Sequence, residues 1–167
     1  MVIIVTFRDS YLGLLRQDVG SRLLLVPGAQ VLLIDDLDRV LFQRRSDNGV
    51  WEIPAGACEP DQDFRGTAAA ELEEETGLTV APDDLIPFAC LSDPAVHTLR
   101  YPNGDLVHAF AMCFYARTWT GDLQGDEEVI EHRFLPISDP PAPIHPPTLA
   151  VLDLYLAYKS SGMFQAR

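Results

Sequence analysis

The chain has 167 residues, of which 47% are hydrophobic and 22% are charged, so it suits one globular domain with its own hydrophobic core. Its 25 acidic and 12 basic residues give a formal net charge of −13, which disfavours nucleic-acid polymers and anionic membranes as partners. The three cysteines have no C-x-x-C spacing, and the sequence has neither a signal-peptide pattern nor a membrane-spanning apolar run. We therefore expect a cytoplasmic protein.

The first half of the chain predicts short strands, turns and one acidic helix. In chain order, we predict a strand over residues 2–7, a short amphipathic helix through Tyr11, Leu14 and Leu15, strands over 22–26 and 29–35 separated by Pro27-Gly28, a strand over 40–44, and a helix over 63–76 that is capped by Asp61 or Asp63 and ends at Gly77. The segment Asp36-Leu37-Asp38-Arg39 has turn composition, so the strands on either side of it are expected to form a hairpin.

The acidic helix carries the most informative pattern of the chain. Glu71, Glu74 and Glu75 stand at i, i+3 and i+4, so their carboxylates share one helix face. No Lys or Arg occurs in residues 66–99, and like charges at this spacing weaken a helix by about 0.2–0.5 kcal/mol per pair. A bound divalent cation such as Mg²⁺ or Mn²⁺ would account for this face, because both ions prefer oxygen ligands. The alternative is an acidic face that is merely solvated.

The second half of the chain predicts further strands and a closing helix. In chain order, we predict strands over 86–92, 96–101, 106–116 and 131–136, a proline-rich loop over 138–147, and a helix over 148–159 with an apolar stripe of Leu149, Leu152, Tyr155 and Leu156. Asn103-Gly104 indicates a hairpin turn, and the strand after it is apolar enough to lie centrally in a sheet. A mixed sheet between two helices follows, so the fold class is an α/β sandwich.

Residues 56–78 resemble the Nudix box, whose pattern is G-x5-E-x7-R-E-U-x-E-E-x-G-U with U aliphatic. The matching residues are Gly56, Glu71, Leu72, Glu74, Glu75, Gly77 and Leu78. The flanking segments over about residues 20–140 also look like those of bacterial Nudix (MutT-like) hydrolases. The resemblance implies a single Nudix domain over residues 1–167, with an N-terminal extension over 1–20 and a mixed-sheet α/β/α sandwich. Two positions depart from the pattern: Gln62 replaces a Glu, and Ala70 replaces an Arg that in the family braces the metal-binding carboxylates.

The resemblance implies hydrolysis of a phosphoanhydride bond in a nucleoside diphosphate derivative, with Mg²⁺ (Mn²⁺ is possible) as cofactor. Glu71, Glu74 and Glu75 would be the catalytic and metal-binding residues, and the main-chain carbonyl of Gly56 would be a further ligand. The general base would be Glu71 or a Glu of a later loop. Glu128 is the first choice for an additional metal carboxylate and Glu131 the second; a solvated acidic loop is the alternative.

Four residues next to the box are candidates for substrate binding. Arg44 and Arg45 end a strand, and because neighbouring residues of a strand face opposite sides, at most one of them should reach the substrate. Trp51 could stack on a base or ribose, with core packing as the alternative, and Tyr101 has the same two readings. Glu52 could bond a base edge or lie on the surface. The four histidines show no metal-ligand spacing, and His108 in its apolar strand is expected to be a core residue.

The substrate stays open at this stage among ADP-ribose and other nucleotide sugars, nucleoside triphosphates and dinucleoside polyphosphates. A catalytically weakened nucleotide-binding or sensor module of the same fold is the alternative function, and it is favoured by Gln62 and Ala70. A metal-stabilised structural protein is a third interpretation. Members of the family are often dimers, so a homodimer is a further expectation.

Overall fold

A computed structural model describes residues 8–101, 103–125 and 127–167, so the strand predicted over 2–7 lies outside the described residues. The helices are α1 (Tyr11–Val19), α2 (Phe64–Thr76), α3 (Pro94–His97) and α4 (Pro146–Ser161). The strands are β1 (Leu24–Leu33), β2 (Arg39–Arg45), β3 (Trp51–Glu52), β4 (Ala55–Ala57), β5 (Ile86–Leu91), β6 (Thr98–Arg100), β7 (Leu106–Ala116), β8 (Val129–Pro136) and β9 (Gln165–Ala166). None of the described helices is long and apolar enough to cross a membrane.

The strands form two sheets. One has six strands in the order β4-β1-β7-β5-β9, with β6 paired to β7, and the other is antiparallel with the order β3-β2-β8. In the larger sheet β1 runs parallel to the central β7 and antiparallel to β4, so this sheet is mixed as predicted. The predicted hairpin after residue 35 is present in part: a single bridge between Ile34 and Val40 joins β1 to β2, and the two strands then enter different sheets.

The prediction that Pro27-Gly28 separates two strands is wrong, because β1 runs through both residues and pairs with β7 along its whole length. The Pro27 carbonyl accepts a hydrogen bond from Cys58 N–H (3.0 Å), so the side of Pro27 that lacks an N–H faces the end of the short β4. The ladder to β7 therefore loses nothing at this proline. Gly28 is needed here because a Cβ at this position would lie 2.6 Å from the carbonyl oxygen of Gly56.

Two hydrophobic clusters lie on opposite sides of the sheets, one under each long helix. The cluster under α4 is centred on Phe42, Phe88 and Tyr155, and the rings of Phe88 and Tyr155 meet edge to face at 5.2 Å. The cluster under α2 includes Ala68 and Leu72, which are fully buried. Because these two residues fix the apolar side of α2, they also determine which way its acidic residues face.

The helix predicted through Tyr11, Leu14 and Leu15 is confirmed as α1, but the buried side differs from the apolar pattern. Tyr11 and Leu14 are 53% and 52% exposed, whereas Arg16 is buried. The Arg16 guanidinium donates to the carbonyls of Gly20 (2.9 Å) and Leu106 (2.5 Å), among others. Hydrogen bonds to carbonyls over this long range therefore decide the orientation of α1, and an apolar pattern does not report them.

The last helix and the segment before β6 also differ in detail from the predictions. In α4, Leu149 and Leu156 are exposed, while Val151 and Leu154 are buried, so the buried face is wider and rotated from the predicted stripe. The strand predicted over 96–101 is wrong at its start, where the backbone makes the single helical turn α3. Asp93 caps this turn by accepting a hydrogen bond from Ala95 N–H (2.9 Å), and the turn buries His97.

We expect Gly28→Ala to destabilise the fold by about 1–3 kcal/mol, because the added methyl group would overlap the backbone of β4 and no flexible side chain can give way. Urea unfolding checks this. Gly66→Ala is the matched control and should not cause a comparable loss, because a Cβ at this position in α2 would meet only a side-chain atom, Asp63 Oδ1, at 3.3 Å. Equal stability of Gly28→Ala and the wild type would contradict the close packing of β4 against β1.

Candidate active site

The acidic helix α2 begins and ends as predicted. The Asp63 side chain accepts a hydrogen bond from Gly66 N–H (2.7 Å) and so caps the first turn. Gly77 ends the helix with φ +72°, and its N–H donates to the carbonyl of Glu73 (2.8 Å). With Leu72 facing the core, the side chains of α2 on the adjoining face point toward β4.

Glu71 packs directly on Gly56 of β4. A Cβ at position 56 would collide with the Glu71 carboxyl group, so only glycine leaves room for this side chain. Burial, assisted by the charges of Glu74, Glu128 and Glu59, raises the pKa of Glu71 to about 7. The carboxyl group of Glu71 thus lies against the main chain of β4, where burial and nearby negative charges destabilise its ionised form.

The Gly56 carbonyl also belongs to the β1–β4 ladder. Hydrogen bonds from Val31 N–H to Pro54 (2.9 Å) and from Cys58 N–H to Pro27 (3.0 Å) flank the pair of Ala29 and Gly56. Because hydrogen-bonded pairs alternate in an antiparallel ladder, Ala29 and Gly56 are themselves such a pair. A carbonyl has two lone pairs, so the Gly56 oxygen keeps one acceptor site beyond the ladder.

Glu75 lies deeper than Glu71. Its carboxylate accepts a hydrogen bond from Ala55 N–H (3.1 Å), and burial raises its pKa well above the ordinary value, with the charges of Glu52 and Glu71 acting in the same direction. Gln43 lies beside it and lowers the pKa of both Glu75 and Glu52. The amide atoms of Gln43 are buried and have no hydrogen-bond partner within standard geometry among the described residues. A buried polar layer therefore connects α2 to β2 and β3.

Glu59, Glu74 and Glu128 complete the acidic surroundings of Glu71. The Glu59 carboxylate also accepts a hydrogen bond from Tyr11 N–H (2.9 Å) at the start of α1. Within residues 8–101, 103–125 and 127–167, no three His, Cys, Asp or Glu side chains are already gathered as a metal-ligand cluster. The donor set is nevertheless rich in carboxylate oxygens, which are the ligands that Mg²⁺ and Mn²⁺ prefer.

The two departures from the box pattern lie near the start and middle of α2. The Gln62 carbonyl oxygen accepts hydrogen bonds from the Thr67 hydroxyl (3.1 Å) and from Glu59 N–H (3.3 Å). Ala70 is half-buried on the helix. At Gln62, the segment before α2 therefore contacts the helix through an amide and a hydroxyl group, both of which are neutral.

Three candidate residues lie together on the far side of the smaller sheet. Glu131 pairs with Arg44 (3.1 Å) and with Arg133, and both guanidinium groups lie over the Trp51 ring, at 5.8 and 5.2 Å from its centroid. Trp51 is 5% exposed and belongs to the core cluster under α4. Trp51 therefore packs in the core, and Arg44 and Glu131 are engaged with each other.

Arg45 and Glu52 lie on the opposite side and line a pocket of about 580 Å³. Arg45 pairs with Asp47 (2.9 Å) and with Glu52 (3.1 Å). The side-chain alternation predicted for Arg44 and Arg45 is thus present, with Arg45 on the pocket side. Gly56 lines the same pocket and carries Glu71 on its other flank, so the pocket adjoins the acidic cluster at β4.

Several pocket residues were not among the predicted site residues: Gln30, His97 and His145. Burial, together with the charges of His97 and Arg45, lowers the pKa of His145 to about 4, so this ring is neutral beside Glu52 at pH 7. The sequence contained one usable signal, because Gln30 is a polar residue inside the apolar segment 29–35. Tyr101, which was considered as a stacking residue, is exposed at the pocket.

We expect Glu71→Gln to stabilise the metal-free protein at pH 8. The pKa of Glu71 is higher in the folded state than in the unfolded chain, so the folded state holds this proton more tightly. The free energy of unfolding that the wild type gains from protonated Glu71 is therefore lost as the pH rises from about 4.5 through about 7. Gln mimics the protonated form. Urea unfolding in the presence of a chelator should show equal stability near pH 5 and a gain of about 1–3 kcal/mol for Glu71→Gln at pH 8.

Glu73→Gln is the matched control, because Glu73 is on the same helix and is not one of the charges that act on Glu71. This control should show no comparable pH-dependent gain. A stability difference between Glu71→Gln and the wild type that does not change with pH would contradict the burial of a titrating carboxyl group against Gly56.

Comparison with curated proteins gives short matches. A MutT-like protein from Streptomyces ambofaciens is 47% identical over 47 residues, which is 28% of this chain and 30% of that protein. An RNA pyrophosphohydrolase from Pseudomonas putida is 34% identical over 64 residues, covering 38% of this chain and 39% of that protein. The aligned part of the chain thus spans only about a third of the length of these relatives.

The structural and family comparisons cover more of the chain. An ADP-ribose pyrophosphatase from Streptococcus suis superposes with a TM-score of 0.60 at 22% identity, over 85% of this chain and 97% of that one, which shows a shared fold. The family model described as NUDIX domain matches residues 24–155. This range includes the whole of α2, both sheets except β9, and the pocket except Leu12. The chain belongs to the Nudix family.

Proposed function

We propose that the protein is a Mg²⁺-dependent hydrolase that cleaves a phosphoanhydride bond in a nucleoside diphosphate derivative. The observation that carries this proposal is the packing of Glu71 on Gly56, because it joins an acidic cluster to a nucleotide-sized pocket through one glycine. A pocket of about 580 Å³ is in the usual range for small-molecule sites. The curated relatives named pyrophosphohydrolase and the family membership support the same reaction class.

Glu71, Glu74 and Glu75 of α2 would hold the metal, with the free acceptor site of the Gly56 carbonyl and the carboxylate of Glu128 as further ligands. Glu128 is preferred over Glu131 because its charge acts on Glu71, whereas Glu131 is paired with Arg44 and Arg133. When bound, a divalent ion neutralises phosphate charge and lowers the pKa of a coordinated water.

Glu71 is our choice for the general base. Its position against Gly56 places it at the boundary between the acidic cluster and the pocket. Burial of the group by β4 excludes bulk water from one side and keeps the carboxylate in a fixed orientation.

The nucleoside part of the substrate would occupy the pocket between β1, β3 and α3. Arg45 fixes the orientation of Glu52 through their ion pair, and the two side chains form the polar corner of the pocket. Arg44 and Trp51, which lie on the other face, are assigned a structural role. ADP-ribose and other nucleotide sugars, nucleoside triphosphates and dinucleoside polyphosphates all carry the required diphosphate, and the Streptococcus suis neighbour is an ADP-ribose pyrophosphatase.

The direct test measures release of phosphate and nucleoside monophosphate from a panel of these nucleotides, with Mg²⁺ or Mn²⁺ and with a chelator. We expect one compound class to be hydrolysed and the chelator to abolish turnover.

Glu71→Gln should lower kcat by about 100-fold or more, because loss of a general base typically costs at least this factor. Gly56→Ala should have a similar effect while keeping the fold, since its methyl group displaces only the end of the Glu71 side chain.

Glu73→Gln is again the matched control and should keep wild-type turnover. Near-normal rates in Glu71→Gln would show that the assignment of the base and metal ligands is wrong. No turnover of any compound by the wild type, combined with nucleotide-dependent increases in melting temperature, would favour the nucleotide-binding module instead.

The two neighbouring arginines give a second test. We expect Arg45→Lys to raise KM about tenfold, because Lys cannot make the two-sided contact with Asp47 and Glu52 that positions the pocket corner. Arg44→Lys is the matched control on the opposite face and should leave KM within about twofold of the wild type, in line with the small contribution of exposed ion pairs. The reverse order of effects, measured by steady-state kinetics on the best substrate of the panel, would reject the pocket assignment.

A further inference from the structure

One wall of the pocket contains a buried polar pair in an otherwise apolar setting. Gln30 of β1 is 5% exposed and His97 of α3 is 4% exposed, and both line the pocket. Gln30 Nε2 lies 3.2 Å from His97 Nε2. The neighbouring wall residues of β7 include Ala109 and Ala111, which offer no polar side-chain atoms.

The hydrogen-bond chain through His97 determines which atom of Gln30 is left over. His97 Nδ1 lies 3.2 Å from the carbonyl oxygen of Leu91, which can only accept, so Nδ1 carries the proton. Burial lowers the pKa of His97, so its ring is neutral at pH 7 and Nε2 must accept. Gln30 Nε2 is therefore the donor to His97. The Gln30 carbonyl oxygen, Oε1, then has no donor among the described residues.

We infer that Gln30 is a specificity-determining residue, whose Oε1 accepts a hydrogen bond from an amino group of the substrate's base, and that His97 is the positioning residue that holds this orientation. This inference rests on the proposed function for the statement that the ligand is a nucleotide. It selects bases with an exocyclic amino group, because Gln30 Oε1 can only accept a hydrogen bond. A base that presented only a carbonyl oxygen to Oε1 would leave two acceptors facing each other.

The test compares nucleotides that differ by one amino group. The probes are adenosine 5′-diphosphate against purine riboside 5′-diphosphate, and guanosine 5′-diphosphate against inosine 5′-diphosphate, with binding measured by calorimetry without hydrolysis. In at least one pair, the wild type should prefer the amino-bearing base by about 3–10-fold, the range expected for one neutral hydrogen bond. Gln30→Leu should bind the two nucleotides of that pair with about equal affinity. Retention of the preference in Gln30→Leu, or no preference in either pair, would overturn the inference.

A double-mutant cycle tests the role of His97. In His97→Leu the Gln30 amide is free to rotate, so the preference should fall as in Gln30→Leu, and the double variant should lose nothing more. A merely structural role of His97 predicts a lower melting temperature with an unchanged preference ratio. Gln17→Leu, at an exposed position of α1, is the matched control for the Gln-to-Leu change and should keep the wild-type preference.

The orientation of the pair can be checked without any ligand or turnover. Nitrogen-15 NMR of histidine-labelled wild type should show His97 as a neutral ring with its proton on Nδ1 at pH 7. A proton on Nε2 would mean that the Gln30 amide points the other way, and it would overturn the inference even if the protein hydrolyses nucleotides. Conversely, correct NMR and binding results with no hydrolysis would separate a failure of the proposed activity from a failure of this assignment.

Discussion

The close approach of β4 to α2 at Gly56 is the constraint on which both halves of the site depend. On one side Gly56 receives the carboxyl group of Glu71, and on the other it forms part of the pocket wall. Position 28 of β1 also requires glycine, because a Cβ there would overlap the Gly56 carbonyl. Because Gly28 and Gly56 have no Cβ, β1, β4 and the Glu71 side chain of α2 can pack more closely than any other residue at these two positions would permit.

This close packing has an electrostatic cost that is concentrated in a few residues. Burial raises the pKa of Glu52, Glu71 and Glu75, so each ionised carboxylate is less stable here than in water. The compensating contacts are Ala55 N–H for Glu75, Arg45 for Glu52, and Gln43 for both carboxyl groups. The three buried carboxylates therefore lower the folding stability of the protein, and such clusters of carboxyl groups with raised pKa values are typical of functional sites.

Local patterns in the sequence were sufficient for most of the longer elements, but the break at Pro27-Gly28 and the start of the strand over 96–101 were predicted wrongly. The acidic helix, its Asp63 cap and its Gly77 end follow from i, i+4 spacing and cap chemistry, and the mixed sheet follows from the apolar segments. The buried face of α1 could not be predicted, because it depends on bonds from Arg16 to residues as distant as Leu106. The Gln30–His97 pair was missed for the same reason: 67 residues separate them, and only the turn α3 brings the ring to β1.

Charge balance also favours the proposed divalent cation. The substrate's diphosphate would approach a region where the charges of Glu59, Glu74 and Glu128 already oppose the ionisation of Glu71. Arg45, the arginine on the pocket side next to this region, is already paired with Asp47 and Glu52 and has little positive charge left to offer. Two like charges 4 Å apart repel by about 4 kcal/mol at an effective dielectric constant of 20. Arg45 therefore offers an anionic substrate little neutralisation next to the acidic cluster, and the same carboxylates that would repel this substrate are the ligands suited to a divalent ion.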